Sequence, residues 1–257
     1  MTSDRWVGRL WVRVFPSERE LDVASADDAA HVLQSAVSAR GAANAMFATG
    51  NSQLGFLEEL VTRDVDWSKV VVFHMDEYVG VGPDHPAGLG RYIRRRIADR
   101  VHPRTVHYLQ GTGDAEVECR RYADLLGRHP LDLCCLGIGE NGHLAFNDPA
   151  VADFDDPRDV KVVELDAECR AQQVNEGHFA SIEAVPTHAI TVTIPALLRA
   201  RRLIVNAPEA RKAAPVRAAL EGPLSTACPA SVLRTCAHAR LHLDRDSASG
   251  LSGNPPP

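Results

Sequence analysis

Short apolar runs alternate with longer amphipathic stretches along the chain, the pattern of an α/β protein with a mostly parallel sheet. Strands are expected at Leu10–Phe15, Ala43–Ala48, Val70–His74, Val106–Leu109, Leu131–Gly137, Val160–Leu165, Ala189–Thr193, Leu203–Asn206 and Arg240–Leu243. Several of these runs, Val70-Val71-Val72-Phe73 among them, show no polar alternation, as strands covered on both faces should. Helices are expected between them at Ala26–Ala39, Gln53–Arg63, Leu89–Arg100, Ala115–Leu126, Asp166–Asn175 and Glu209–Leu220. The first follows Ser25, carries Asp27 and Asp28 where carboxylates favour the helix dipole, and meets a stop at Gly41. No compositional break or internal repeat divides the chain. One domain is therefore expected over residues 1–245, with a disordered tail over 246–257.

Composition narrows the function classes. The 257 residues are 45% hydrophobic and 24% charged, which suits a globular chain with a sizeable core. No window approaches the roughly 18–20 apolar residues of a bilayer span. The first residues carry Asp4, Arg5, Arg9 and Arg13 where a secretory leader needs an apolar run, so a cytoplasmic protein without a membrane partner is expected. A net charge of −6 argues against a general nucleic-acid binder, yet leaves room for a compact anionic metabolite held by local donors. Cys119, Cys134, Cys135, Cys169, Cys228 and Cys236 form no C-x-x-C pair and read as small core hydrophobes. His102, His107, His129, His188, His238 and His242 lack paired metal-ligand spacing, and no metal is expected. The Arg94-Arg95-Arg96 run is expected to be a solvated helix face, with a ligand or partner patch as the alternative.

Three loops at the expected carboxyl ends of strands can carry chemistry, since ligands of doubly wound sheets bind there. Thr49-Gly50-Asn51-Ser52 offers a flexible glycine, two hydroxyls and a following helix start, a phosphate cradle or else an ordinary Ser-capped turn. Asp76-Glu77 directly follows an apolar strand. Neighbouring carboxylates at the mouth of an apolar site can acquire a raised pKa suited to a general base, and solvated loop carboxylates are the alternative. Gly137-Ile138-Gly139-Glu140-Asn141-Gly142-His143-Leu144-Ala145-Phe146-Asn147-Asp148-Pro149 combines three glycines with a histidine. The glycines permit close backbone approach to a ligand, and the histidine is a natural proton carrier near neutral pH.

The stretches FHMDEYVG, DHP and GIGENGHLAFNDP resemble the glucosamine-6-phosphate deaminase/isomerase family, and the order and spacing of elements follow it from about Ala43 to Leu220. The resemblance implies a three-layer, Rossmann-like fold shared with the 6-phosphogluconolactonases. It also implies conversion of glucosamine 6-phosphate and water to fructose 6-phosphate and ammonia without an organic cofactor, with a sugar phosphate as the small-molecule partner and the assembly state, homo-oligomer or not, left open. Carried over residue by residue, His143 would open the sugar ring, assisted by Asn141 and Asp148, and Asp76 would move a proton between C2 and C1. Thr49, Gly50, Asn51, Ser52, Glu77, Gly142 and Lys212 would bind substrate or its phosphate.

This chain departs from the family's pattern in several places. A well-known member has aspartate at the position of Asn141 and glutamate at that of Asp148. Asn141 cannot stabilise a charged imidazole as a carboxylate would, and Asp148 is one methylene shorter. Asn51-Ser52 stands where Gly-Thr is common, and the family's phosphate-binding arginine has no clear counterpart, with Arg170, Gln172 and His178 as candidates. Around Val160-Lys161-Val162-Val163 the basic residues of the family's allosteric site are poorly matched, so no such activation is expected. The nearest rival is a 6-phosphogluconolactonase, whose loops read more like D-E-R and G-P-D-G-H-T. A sugar-phosphate sensor is a rival of another class, but it would normally carry a separate helix-turn-helix that this chain has no spare segment to supply.

Overall fold

The computed structural model describes residues 3–252. Its strands are β1 (Ser3–Val7), β2 (Leu10–Phe15), β3 (Ala43–Phe47), β4 (Val70–His74), β5 (Asp76–Tyr78), β6 (Thr105–His107), β7 (Leu133–Gly137), β8 (Val160–Glu164), β9 (His188–Val192), β10 (Leu203–Asn206) and β11 (Ala239–Asp244). Helices are α1 (Glu18–Arg40), α2 (Leu54–Leu60), α3 (Leu89–Ile93), α4 (Asp99–Val101), α5 (Ala115–Arg128), α6 (Ala167–Asn175), α7 (Ile194–Leu198) and α8 (Ala213–Glu221). A π-helical turn, Arg94–Ala98, joins α3 to α4 without a break.

Eight strands form the main sheet in the order β1-β2-β11-β10-β7-β3-β4-β6, parallel throughout except for the β1–β2 hairpin. From β3 the chain winds outward to β4 and β6. It then returns to β7 on the other side of β3 and winds away through β10 and β11. The reversal opens a crevice between the carboxyl ends of β3 and β7, where doubly wound sheets bind ligands. Side chains alternate between the two faces as strand geometry requires. Ala45, Phe47, Val70, Val72, Leu133 and Cys135 pack with α1, α2, Ile93 and Ile97, whereas Met46, Val71, Phe73, Cys134, Leu136 and Val205 pack with α5, α7 and α8.

Parts of the sequence pattern fold differently from expectation. The segments read as further parallel strands, Val160–Leu165 and Ala189–Thr193, leave the main sheet and pair antiparallel with β5 in the order β5-β9-β8. A short apolar run is compatible with either kind of sheet, so its pairing is settled by where the chain returns. Strand β1 was not expected because its residues are largely solvent-facing edge positions. Helix α1 begins two turns earlier than the Ser25 start. Ser17 accepts from Glu20 N–H at 3.3 Å as the N-cap, whereas Ser25 is buried inside the helix and bonds back to the Asp22 carbonyl at 3.1 Å. The Gly41 stop stands, with φ at +74°.

The expected disordered tail is corrected as far as Ser252. Ser247 and Ala248 are fully buried, Leu251 is in the core, and the Ser252 N–H donates to Glu221 at 2.7 Å. Residues 253–257 of that expectation lie outside the described residues. Cys119, Cys134, Cys135, Cys169 and Cys236 are buried free thiols, and Cys228 is partly buried. Among the described residues no helix is long and apolar enough to cross a membrane.

Helices α1 and α2 approach so closely that a Cβ on Gly55 would fall 2.0 Å from Asp22 Oδ2. Burial, with Glu18 and Glu59 nearby, pushes the Asp22 carboxyl up to about 7 from its ordinary 3.8. The unfolded chain ionises this group at lower pH than the folded one, so the destabilisation grows as pH rises from about 4 to 7 and is complete above that. Asp22→Asn is therefore expected to raise the melting temperature more at pH 8 than at pH 5. Thermal unfolding at the two pH values checks it, and an equal or smaller gain at pH 8 would count against the assignment.

Candidate active site

The loops leaving β3 and β7 form facing walls of one pocket at the sheet's reversal. Its lining includes Thr49, Gly50, Asn51 and Ser52 from the first loop, and Gly139 and His143 from the second. Asp76 of β5, together with Gln172, Gln173, Glu176 and His178 from α6 and the turn after it, completes the wall with Lys212 from the turn before α8.

Gly50 sits at φ +106°, a backbone conformation open chiefly to glycine, and lets the chain turn directly out of β3. The Tyr92 hydroxyl donates to the Gly50 carbonyl at 2.9 Å, tying this loop to the helix beginning at Leu89. Across the pocket Lys212 is 2% exposed, which excludes the solvated-residue reading of this lysine. Burial and then the neighbouring Arg211 charge lower its pKa. Arg211 itself is engaged by Glu176 at 2.5 Å, Glu209 at 2.7 Å and Glu140 at 3.2 Å, which leaves Lys212 to face the pocket.

Asp76 is 6% exposed, and its Oδ1 is buried without a hydrogen-bond partner. Desolvation, then repulsion from Glu77, pushes its carboxyl up to about 8 from 3.8. Glu77, expected among the substrate-binding groups, is not on the pocket wall. Strand alternation turns it to the other face, where its carboxylate accepts from the N–H groups of Tyr78 (3.0 Å), Leu89 (3.1 Å) and Gly90 (2.8 Å). It staples the start of α3 to the strand carrying Asp76.

His143 Nδ1 lies 2.8 Å from Asp148 Oδ1, so the shorter aspartate does reach the ring. This proximity favours the tautomer protonated at Nδ1 and leaves Nε2 for chemistry. Burial alone would raise the Asp148 carboxyl, but His143 and then Asn141 hold it below the usual carboxylate range. Asn141 does not orient the imidazole directly. Its Oδ1 accepts from the His143 backbone N–H at 3.0 Å and its Nδ2 donates to Asp148 at 2.9 Å, so it sets the carboxylate that flanks the ring. Gly142, also expected to bind substrate, lies behind the wall: it adopts φ +84°, and a Cβ there would fall 2.7 Å from Cys228 Sγ. Ligand atoms of His143, Asp148 and Cys169 lie within 4.8 Å of one another, yet burial first and Asp148 second raise the Cys169 pKa. The protonated Cys169 thiol is a poor metal ligand.

Of the three candidates for the missing arginine, Arg170 is turned away, with its guanidinium on the carbonyls of Ile182 and Val185 at 2.6 and 3.2 Å. Gln172 and His178 line the pocket. Gln173 was not anticipated. Its Oε1 accepts from the Tyr78 hydroxyl at 2.6 Å and meets His178 Nδ1 at 2.9 Å. A carbonyl oxygen only accepts, so neutral His178 carries its proton on Nδ1 and presents Nε2 as an acceptor. Lys161, in the segment weighed for allosteric control, is buried on Asp156 at 2.9 Å and the Val151 carbonyl at 2.6 Å.

Comparison with known proteins shows the family. Residues 16–243 match the family model described as glucosamine-6-phosphate isomerases/6-phosphogluconolactonase. The chain belongs to that family. A glucosamine-6-phosphate deaminase from Exiguobacterium sibiricum is 37% identical over 206 residues, 80% of each chain. Another from Bacillus thuringiensis is 35% identical over 203 residues, covering 79% of this chain and 76% of that one. Among solved structures, a monomeric glucosamine-6-phosphate deaminase superposes with a TM-score of 0.84 at 29% identity, over 93% of this chain and 99% of its own. A Shewanella baltica 6-phosphogluconolactonase shares the fold at a TM-score of 0.74 and 22% identity, over 91% and 97% of the two chains.

One contact in this family member gives a direct test of the imidazole's seat. A Cβ on Gly139 would fall 2.3 Å from His143 Cε1 and Nε2. Gly139→Ala is expected to push the ring off Asp148 while leaving the sheet intact. The variant's crystal structure checks it, and an unmoved imidazole would contradict the packing described.

Proposed function

We propose that the protein converts glucosamine 6-phosphate and water to fructose 6-phosphate and ammonia. The observation carrying this reading is a buried carboxylate of raised pKa, Asp76, sharing one pocket with His143, whose ring stands beside a carboxylate, and with Lys212 and the hydroxyl-bearing loop 49–52. Two proton-handling groups and one cationic anchor are what a small phosphorylated sugar needs if it is to be rearranged without an organic cofactor.

In the proposed sequence, the phosphate lies on Lys212 and the Thr49–Ser52 loop. His143 Nε2 shuttles the proton that moves from the C1 hydroxyl to the ring oxygen as the ring opens. Asp76 removes the C2 proton while the substrate's ammonium group passes one proton to the C1 oxygen, giving an enolamine, and Asp76 then returns its proton to C1. The resulting C2 imine is hydrolysed by water, which supplies the ketone oxygen as ammonia leaves. His178 Nε2 is placed in this scheme as the acceptor for a sugar hydroxyl. Related sequences named as deaminases at 35–37% identity support the same reading. Steps of general acid–base catalysis typically contribute about 10²–10⁴-fold each.

Ammonia release from glucosamine 6-phosphate is the decisive assay, with galactosamine 6-phosphate and 6-phosphogluconolactone as comparison substrates. Asp76→Asn and His143→Gln are expected to lower turnover by about 10²-fold or more with unchanged thermal unfolding. A folded protein that releases no ammonia, yet hydrolyses the lactone with Asp76→Asn in place, would overturn the proposal.

The same scheme fixes a pH dependence. Asp76 must be ionised to act as base, and burial holds its proton up to about 8. The kcat/KM profile is therefore expected to fall as pH drops below about 8. In Glu77→Gln the adjacent negative charge is gone, so the limb should move to lower pH whatever happens to the absolute rate. A limb that stays in place or moves upward would show that Glu77 does not act on Asp76 through its charge.

A further inference from the structure

The chain has a net charge of −6, yet the rod running through α3, the π-turn and α4 gathers cationic groups on one face. Arg91, Arg95, Arg96 and Arg100 line a single surface cavity of about 380 Å³ together with Tyr92. Ile93 and Ile97, both fully buried, hold the opposite face of the rod in the core. Arg94 leaves this face and pairs with Asp84 at 2.8 Å. Arg96 has one carboxylate partner, Glu58 at 3.2 Å. Among the described residues the guanidinium groups of Arg91, Arg95 and Arg100 make no hydrogen bond or ion pair, in contrast to those of Arg94 and Arg96. Arg95 and Arg96, from the run expected to be a solvated face or else a ligand or partner patch, thus join Arg91 and Arg100 around a concavity whose cations are largely uncompensated.

We propose that this cavity is a second anion site, for a small molecule bearing two or more phosphate groups. Guanidinium groups bind phosphate oxygens through paired, charge-assisted hydrogen bonds, and a concave set of four suits an anion with several such oxygens better than a single phosphate. The site is built to communicate with the pocket. Tyr92, on the same turn as Arg91, donates to the Gly50 carbonyl at 2.9 Å, and the rod's first N–H groups are held by Glu77 beside Asp76. An anion that draws the arginines together therefore acts on the phosphate loop through one hydrogen bond. Any change it makes in substrate affinity is matched by the change substrate makes in its own affinity.

The probe is tripolyphosphate, titrated calorimetrically into the full chain at constant ionic strength, with ATP as a second arm. One-to-one binding is expected, retained in Lys212→Ala and weakened at least tenfold in the triple variant Arg91→Ala, Arg95→Ala, Arg100→Ala. The single reversal Arg95→Glu should weaken it in the same direction if the triple variant proves unstable. ATP binding more tightly than tripolyphosphate would assign the nucleoside end to Tyr92, and equal affinity would assign recognition to the phosphates alone; both support the site. Loss of binding in Lys212→Ala with retention in the arginine variants would put the anion in the substrate pocket and overturn the proposal, as would absence of binding. This measurement stands apart from the deaminase reading, because it needs no turnover. The coupling rests on that reading and is tested by whether tripolyphosphate shifts KM for glucosamine 6-phosphate in the wild type but not in the triple variant.

Discussion

Strands β3 and β7 lie side by side where the sheet reverses its winding, and the site depends on that pairing. Phe47 stands in register with Cys135, and the Ala48 N–H continues the ladder to the Cys135 carbonyl at 2.9 Å. Two loops are thereby released at the same height, one running into α2 and the other crossing to β8 of the second sheet. A parallel strand pair can be joined only by long crossovers, so the loops at its carboxyl end are free to carry ligands while the strands remain in the core. Thr49–Ser52 and Gly139–His143 occupy those positions.

The small antiparallel sheet adds what the main sheet lacks. It takes Asp76 immediately after β4 and pairs it with Thr191, which seals the carboxylate from water on one side. With Glu77 turned to the opposite face and neutralised only in part by backbone N–H groups, Asp76 sits in a desolvated place next to a negative charge. Both effects favour its proton. At His143 the balance is reversed: hydrogen bonds to Asp148 outweigh the burial of that carboxylate and keep it ionised beside the ring. One site thus holds a carboxyl that keeps its proton and another that gives it up, the division that acid–base chemistry near neutral pH requires.

Much of this was legible along the chain because the signals are local. The apolar runs of β3, β4, β7, β10 and β11 mark themselves, and Gly41 marks the end of α1. Asp76 and His143 stand in motifs dense enough to single out. The start of α1 misled because Ser25 and Ser17 have the same side chain, and only the packing of the preceding turns decides which one caps. Glu77 and Gly142 stand off the pocket wall for a related reason: neighbours in a motif need not share a surface, and strand alternation or a positive φ turns them away.

The sequence by itself determined which residues could do chemistry and which runs had to be buried, since charge, proton affinity and period are properties of short stretches. It could not show that Gln173 would fix His178, that Arg170 would spend its guanidinium on two carbonyls, or that four arginines of one rod would meet in a cavity. Those outcomes join groups far apart in the chain or hang on the exact rotation of a helix. Both are set by how the elements pack against one another, so only the tertiary structure decided them.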